Sequence, residues 1–414
     1  MESLHCIHSY NGLRVANGGY VMPCCYYNEF TPLRDKNNKI IKTDTHTISE
    51  MMTSPDRLKL IDDLNNGIRH PSCKRCWDDE DNHGESKRIR DTRGYRETLK
   101  KEEKTSIDYY FQDKTKYYDN KVRYIELNLG NTCNLACRMC GVGASIKWYD
   151  EHRQIYDIGG EHKDDNVYKE WVKTNYKSYE KESMFWDELQ NELSNIKHID
   201  MYGGEPMLIK KQWETLKKSI ELGYSKDQAL SFNTNGTIFK EEYIDILSEF
   251  GNVVISFSID AIKQRFNYIR HHGDWDLVNK NIKNWIKFKS KIISFDVAIT
   301  VTNLNIGYLD ELCDWCIDMN LLPYFIDVSY PDFYSPSNLT DSAKNHINKK
   351  LNIYINKEGI PESIRNGIQG SLKNMNSKNF NKELWEKFLK NNKFLDESRK
   401  QSFEDTFKEL NSVL

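Results

Sequence analysis

The chain of 414 residues contains no long apolar run. No stretch approaches the roughly 20 apolar residues of a membrane helix, so no such span is expected. The N-terminus also lacks the apolar core of a signal peptide, and a soluble, cytoplasmic protein is expected. Charge of one sign is missing too, since 59 Lys and Arg against 62 Asp and Glu leave a formal net charge of −3. Without a basic excess there is no electrostatic footprint for general nucleic-acid binding. Internal repeats and low-complexity runs are absent, so nothing points to a repeat array. What remains is a polar chain, 38% hydrophobic and 12% aromatic, with enough to build a core. Its length suits one large domain with a smaller one appended, or two to three domains.

Cysteine is plentiful, at ten residues. Several stand at Cys-x-x-Cys spacing, which in a reducing compartment points to metal or cluster ligation rather than disulfides. The densest group is Asn131-Thr-Cys-Asn-Leu-Ala-Cys-Arg-Met-Cys140, with Cys133, Cys137 and Cys140. Residues 123–129 just before it alternate apolar and polar side chains and read as a strand, so the thiols sit in the loop at its C-terminal end. Most cubane clusters take four thiolates, and three close ones leave an iron open to a cofactor or substrate. A zinc knuckle would need a fourth ligand nearby, and none follows.

Further strands are expected at 196–202, 229–233, 252–259, 293–301 and 324–330, alternating with helices at 210–222, 240–250, 276–289 and 308–319. This alternation implies parallel strands with right-handed crossovers, in a complete or partial βα barrel or a doubly wound sheet. Residues 18–25 read as a hairpin that delivers a thiol. Residues 77–121 are dense in charge and read as a solvated linker or exposed helix. Residues 159–166 read as a surface insertion, and 336–414 as helices.

Residues at the strand ends carry the candidate chemistry. Gly203-Gly-Glu-Pro206 follows the second strand. Its glycines allow a ligand close to the backbone, and the residue before proline is held extended, leaving carbonyls for a cationic amine. An ordinary strand-to-helix turn is the alternative. Asn233 and Asn235, after the third strand, can bond hydroxyls or cap a turn. Ser256, Ser258 and Asp260 share one strand face, and a polar face inside a barrel favours ligand contact. Arg270, expected in a helix, suits a bidentate grip on a carboxylate. His271 and His272 read as structural, and Cys313 and Cys316 as buried free cysteines of a helix.

The Cys-x3-Cys-x2-Cys spacing, followed at the next strand end by Gly-Gly-Glu-Pro, resembles the radical SAM superfamily. That resemblance implies a partial (β/α)6 TIM-like barrel with a small N-terminal cluster-binding domain and C-terminal helices. It implies a [4Fe-4S] cluster on Cys133, Cys137 and Cys140, whose open iron binds S-adenosylmethionine. Gly203, Gly204 and Glu205 would hold the methionine amino group; Asn233, Asn235, Ser258, Asp260 and Arg270 would meet the ribose and carboxylate. Met139 departs from the aromatic residue usual at its position. Cys6, Cys24, Cys73 and Cys76 resemble a twitch or SPASM-type auxiliary domain with a second [4Fe-4S] cluster. Here that pattern precedes the barrel, and the seven-cysteine SPASM set is absent. Structural zinc on the same four thiols is the alternative, and Cys25 could replace Cys24.

The domains expected are an auxiliary domain at 1–90, a charged linker at 91–120, the barrel at 121–335 and a helical region at 336–414. The implied reaction is reductive cleavage of S-adenosylmethionine to a 5′-deoxyadenosyl radical that takes a hydrogen from a substrate. Peptides or proteins come first as substrates, through oxidation, crosslinking or epimerisation, ahead of small molecules. A reductant such as flavodoxin or ferredoxin is implied as a partner. No acid or base residue is identified. The rival reading is a non-catalytic iron–sulfur or zinc protein for electron transfer or structure.

Overall fold

Strand formers alternating with polar residues build a sheet with one face under helices and one face open to the interior. In this computed structural model, which describes residues 4–28, 31–83, 85–102, 120–157, 184–328 and 330–413, ten strands are defined. Two are N-terminal, β1 (Gly12–Val15) and β2 (Val21–Met22). They are followed by β3 (Tyr124–Asn128), β4 (Ala136–Cys137), β5 (His198–Tyr202), β6 (Ala229–Thr234) and β7 (Asn252–Ser258). The last three are β8 (Arg270–His271), β9 (Ile293–Val301) and β10 (Leu322–Asp327). Eight of them form one sheet in the order β10-β9-β7-β6-β5-β3-β1-β2. Every pairing from β1 to β10 is parallel, and only β2 runs antiparallel, against β1. The result is a partial, TIM-like α/β barrel.

Helices after the strands bury the outer face. Lys210–Glu221 follows β5, Glu241–Leu247 follows β6, Trp275–Trp285 follows β8 and Leu309–Asp318 follows β9. Ile125, Leu127, Ile199, Leu230, Phe232, Val253, Ile255 and Phe257 are sealed beneath them. Each such side chain contributes about 1.5–3 kcal/mol when fully buried. Cys313 and Cys316 lie in this core, on the helix Leu309–Asp318.

The expected hairpin is present, its turn made by Gly18 and Gly19 at φ +76° and +72°. Its first strand does more than the sequence indicated, because Gly12–Val15 pairs in parallel with β3 and extends the barrel sheet. The buried Arg57 fastens this region by donating to the carbonyls of Met51, His8, Ser9 and Gly12. The helix Lys87–Glu102 crosses the boundary expected near residue 90. Residues 103–119 of the expected linker, and the insertion at 159–166, lie outside the described residues. Arg270 stands in β8 rather than a helix, since the helix Lys263–Ile269 ends just before it. The C-terminal region is helical, with Asp341–Ile355, Glu362–Met375 and Lys382–Arg399 as its main helices. No described helix is long and apolar enough to cross a membrane.

Candidate active site

The cysteine loop is pinned at both ends by backbone. After β3 the Gly130 carbonyl accepts from Gly204 N–H at 3.0 Å, and the Thr132 carbonyl from Glu205 N–H at 2.8 Å. A side chain on Gly204 would overlap the Thr132 carbonyl, and one on Gly203, at φ +96°, would crowd Gly130 and Asn128. The glycines thus let the β5 turn lie directly against the chain entering Cys133. Further on, Cys137 pairs with Arg270 between β4 and β8. Cys140 N–H closes a turn on the Cys137 carbonyl at 2.9 Å, and the Trp148 indole N–H reaches the same carbonyl at 2.9 Å.

These backbone contacts place the three thiols on the wall of one cleft of about 390 Å³. Gly203, Gly204, Glu205, Asn233, Asn235, Ser258 and Arg270 share that wall. The volume falls within the roughly 300–1,000 Å³ of ligand sites. Glu205 is committed to structure: its carboxylate accepts from Met207 N–H (3.1 Å), the Thr234 hydroxyl (2.8 Å) and Asn235 N–H (2.7 Å). Burial raises its pKa against these bonds. Asp260 is set back from the wall, where it grips Arg270 Nη2 at 2.6 Å and accepts from Thr300 N–H at 2.8 Å. It can meet a cofactor only through Arg270. His271 lies in β8 opposite Ala136, outside the cleft lining.

Two donors face the sulfurs. Arg270 Nη1 stands 3.8 Å from Cys137 Sγ, and Asn235 Nδ2 stands 4.0 Å from Cys133 Sγ. Burial, then the neighbouring Cys137, pushes the Cys133 thiol up to about 12. The hydrogen bond between Cys137 and Cys140, followed by burial, raises Cys140, while the same bond, with Arg270's help, lowers Cys137. Three sulfurs of which Cys133 and Cys140 are hard to ionise alone, with N–H donors facing Cys133 and Cys137, fit thiolates whose charge a bound metal cluster would carry. Wall residues that escaped the sequence reading include Asn17, Asn128, Tyr202 and Thr300. Strand alternation could have found Asn128, Tyr202 and Thr300, because the apolar neighbours Leu127, Met201 and Ile299 turn to the opposite, buried face. Asn17 comes from the N-terminal hairpin, and its amide donates to the Gly143 carbonyl at 2.7 Å.

Residues 127–316 match the family model of the Radical SAM superfamily. The match takes in the cysteine loop, the Gly203–Glu205 turn and the strands β4 to β9. The family implies a [4Fe-4S] cluster and S-adenosylmethionine, and the cleft's donor set fits both. Among curated proteins, the chain is similar to the tungsten-containing aldehyde ferredoxin oxidoreductase cofactor-modifying protein of Pyrococcus furiosus. The two are 24% identical over 217 residues, covering 49% of this chain and 52% of that one. It is also similar to the GTP 3′,8-cyclase of Clostridium botulinum, 24% identical over 195 residues, 47% of this chain and 52% of that one. The chain spans about half the length of these curated relatives. Among solved structures, anSMEcpe with bound AdoMet aligns at 20% identity over 56% of this chain and 61% of that one, with a TM-score of 0.38. Streptococcus suis SuiB bound to precursor peptide SuiA aligns at 17% identity over 57% and 47%, with a TM-score of 0.33.

The C-terminal helices clasp the barrel at its cysteine loop. Arg138, between Cys137 and Cys140, turns away from the cleft and is 1% exposed. Its guanidinium donates to Asn392 Oδ1 (2.7 Å), Asp396 Oδ1 (2.5 Å), Gln401 Oε1 (3.0 Å) and the Tyr268 carbonyl (3.2 Å). Arg399 binds both oxygens of Glu151 and lies over Trp148. Leu395 packs with Ala136, Val142 and Trp148.

The N-terminal thiols also converge. Cys6, Cys24, Cys73 and Cys76 line a single small cavity, together with Lys87 and Arg88. Cys25 is not in that lining. It faces the other way, among Glu126, Lys87, Arg14 and Asp200. Burial pushes Cys6 up to about 12, with Cys76 as the next cause, and raises Cys24, Cys73 and Cys76 as well. Among the described residues no three His, Cys, Asp or Glu side chains close on a single-ion site. The four thiols ring a space instead.

Proposed function

We propose that this protein is a radical SAM enzyme that modifies a peptide or protein and carries a second [4Fe-4S] cluster on its N-terminal thiols. One observation carries the enzyme assignment: Cys133, Cys137 and Cys140 share a cleft with the Gly203–Glu205 turn, Asn233, Asn235, Ser258 and Arg270. A protein that merely stored or relayed electrons would have no use for that second half of the wall. Cys133, Cys137 and Cys140 would hold the cluster, leaving one iron for S-adenosylmethionine. When bound, the pair supplies reductive carbon–sulfur cleavage and, through it, hydrogen-atom abstraction from the substrate. Arg270, braced by Asp260, presents a fixed cation for the methionine carboxylate. The Gly203–Gly204 backbone borders the place for the amino group, and Asn233, Asn235 and Ser258 offer hydrogen bonds to the ribose.

The N-terminal region also reaches the barrel interior. Lys87 reaches Glu126 on β3 at 3.3 Å, which sets the start of the helix Lys87–Glu102 against the barrel lumen. Cys6, Cys24, Cys73 and Cys76 would hold the second cluster, which could receive the electron left on the substrate in a net oxidation. The peptide or protein class rests on the resemblance of this thiol set to auxiliary domains of peptide-modifying enzymes, and a flavodoxin or ferredoxin would serve as reductant.

The test is anaerobic reconstitution with iron and sulfide, reduction with dithionite, and chromatography for 5′-deoxyadenosine from S-adenosylmethionine. The wild type should form it, and the Cys133→Ala/Cys137→Ala/Cys140→Ala variant should not. Cleavage retained by that variant, or absent from a fully loaded wild type, refutes the enzyme assignment.

A further inference from the structure

The interior face of the sheet stays polar beneath the cofactor cleft. One register row runs from Asn128 to Tyr202 across β3 and β5, and through Asn233, Ser256 and Asp296 across β6, β7 and β9. Asn128, Tyr202 and Asn233 line the cleft, as does Thr300, four residues beyond Asp296 on the same face of β9. Asp296 therefore points into the barrel interior, the chamber beneath the cleft, and is not itself part of the cleft lining. The next row down carries Arg14, Glu126, Asp200 and Ser231.

The carboxylates of this chamber are unequally compensated. Asp200 is surrounded by the Tyr124 hydroxyl at 2.7 Å, His198 Nε2 at 2.7 Å and the Ser231 hydroxyl. Glu126 has Lys87 at 3.3 Å. Asp296 has the Ser256 hydroxyl, and its Oδ1 is buried with no hydrogen-bond partner. Among the described residues no ion pair reaches it. Burial raises its pKa, the direction taken by a sheltered carboxylate that lacks its cation. Tyr324, whose hydroxyl lies 3.1 Å from Asn233 Nδ2, walls the chamber on the β10 side. A partly buried carboxylate with one oxygen left unsatisfied is stabilised when a cation arrives beside it.

We infer that Asp296 anchors a cationic nitrogen of the substrate, an ammonium or guanidinium such as a lysine or arginine side chain presents. Calling that ligand the substrate rests on the function proposed above; the binding site itself does not.

The experiment is a ligand-observed NMR titration of the reconstituted protein, with S-adenosylmethionine present. The probes are n-butylguanidine and its neutral isostere n-butylurea. The wild type should prefer the guanidinium by about tenfold or more, the scale of a hydrogen bond to a charged group. Asp296→Asn should erase the preference while leaving n-butylurea and S-adenosylmethionine binding unchanged, and Asp296→Ser should do the same if the amide variant folds poorly. Equal binding of the two probes to the wild type, or a preference that survives in both variants, overturns the inference. Displacement of S-adenosylmethionine by n-butylguanidine also overturns it, by putting Asp296 in the cofactor site. No step needs turnover: a preference lost in Asp296→Asn stands even if 5′-deoxyadenosine never forms, and turnover without a preference sinks only the anchor.

Discussion

Arg138→Met should loosen the cysteine loop without touching a thiol. The substitution keeps the aliphatic stem and deletes a guanidinium that has four acceptors and lies 3.6 Å over the Tyr268 ring. Asp396 would be left behind with its side chain 16% exposed. Breaking a buried ion pair costs about 3–5 kcal/mol, because the surviving charge is stranded. Asp396 keeps one bond, from Phe403 N–H at 2.7 Å, so the low end, about 3 kcal/mol, is expected. Hydrogen–deuterium exchange across residues 131–148 and 382–399 reads this directly. If both segments open together, a loss of that size speeds exchange by about a hundredfold in each. Arg138→Lys retains the charge without the planar fork and should fall between. Exchange in Arg138→Met within threefold of wild type at both segments would show that the clasp does not hold the loop.

Four other variants test the cleft and the thiols. Gly204→Ala should drive the Thr132 carbonyl away, so the three-cysteine site should lose its iron and cleavage should fall by more than about a hundredfold; full iron content would contradict the packing account. Arg270→Lys should weaken S-adenosylmethionine binding about tenfold or more at constant iron, by equilibrium dialysis, with Asp260→Asn showing a smaller loss. An unchanged dissociation constant for both would place the carboxylate grip elsewhere. With two cubanes the wild type should hold about eight irons and the Cys133/Cys137/Cys140 triple variant about four, still coloured. A colourless triple variant with one tightly held zinc would exclude the second cluster.

The barrel strands were legible because their outer positions alternate with polar ones; β9, for instance, runs over residues 293–301 as its apolar period indicates. The cleft was legible where a motif sits at a strand end, as with Cys133 and Gly203. Roles were harder to read than positions. Glu205 and Asp260 carry the same chemistry as a ligand-binding carboxylate, and only their partners reveal that one bolts the β5 turn and the other braces Arg270. The junction of β1 with β3 was hidden because Gly-Leu-Arg-Val is too short to show a period. Arg138 was hidden because its side-chain acceptors lie more than 250 residues away, beyond any local pattern.

Within the charge-rich stretch at 77–121, Lys87 departs most from expectation, since such runs usually face solvent. Lys87 is instead 7% exposed and sits between the N-terminal cysteine cavity and the lumen. Its ammonium meets Asp91 at 2.7 Å and Glu126 at 3.3 Å. Both Glu126 oxygens otherwise lack a hydrogen-bond partner. Lys87→Met should therefore cost about 3–5 kcal/mol, and Lys87→Met/Glu126→Gln should recover most of it, because no unpaired charge remains buried. The pH dependence has a definite sign. Burial alone would raise the Asp91 carboxyl, but the bonds from His8 and Lys87 outweigh it and hold the group well below the usual carboxylate range. A depressed acid stabilises fully above its unfolded value of about 4 and loses that contribution as pH falls towards the folded one. Wild-type unfolding midpoints should decline as pH drops below about 4, and Asp91→Asn, already lacking the contribution at neutral pH, should show a shallower decline. An identical acid slope in the two proteins, or a double variant no more stable than Lys87→Met, would mean that Lys87 is not the ion joining the N-terminal region to the barrel.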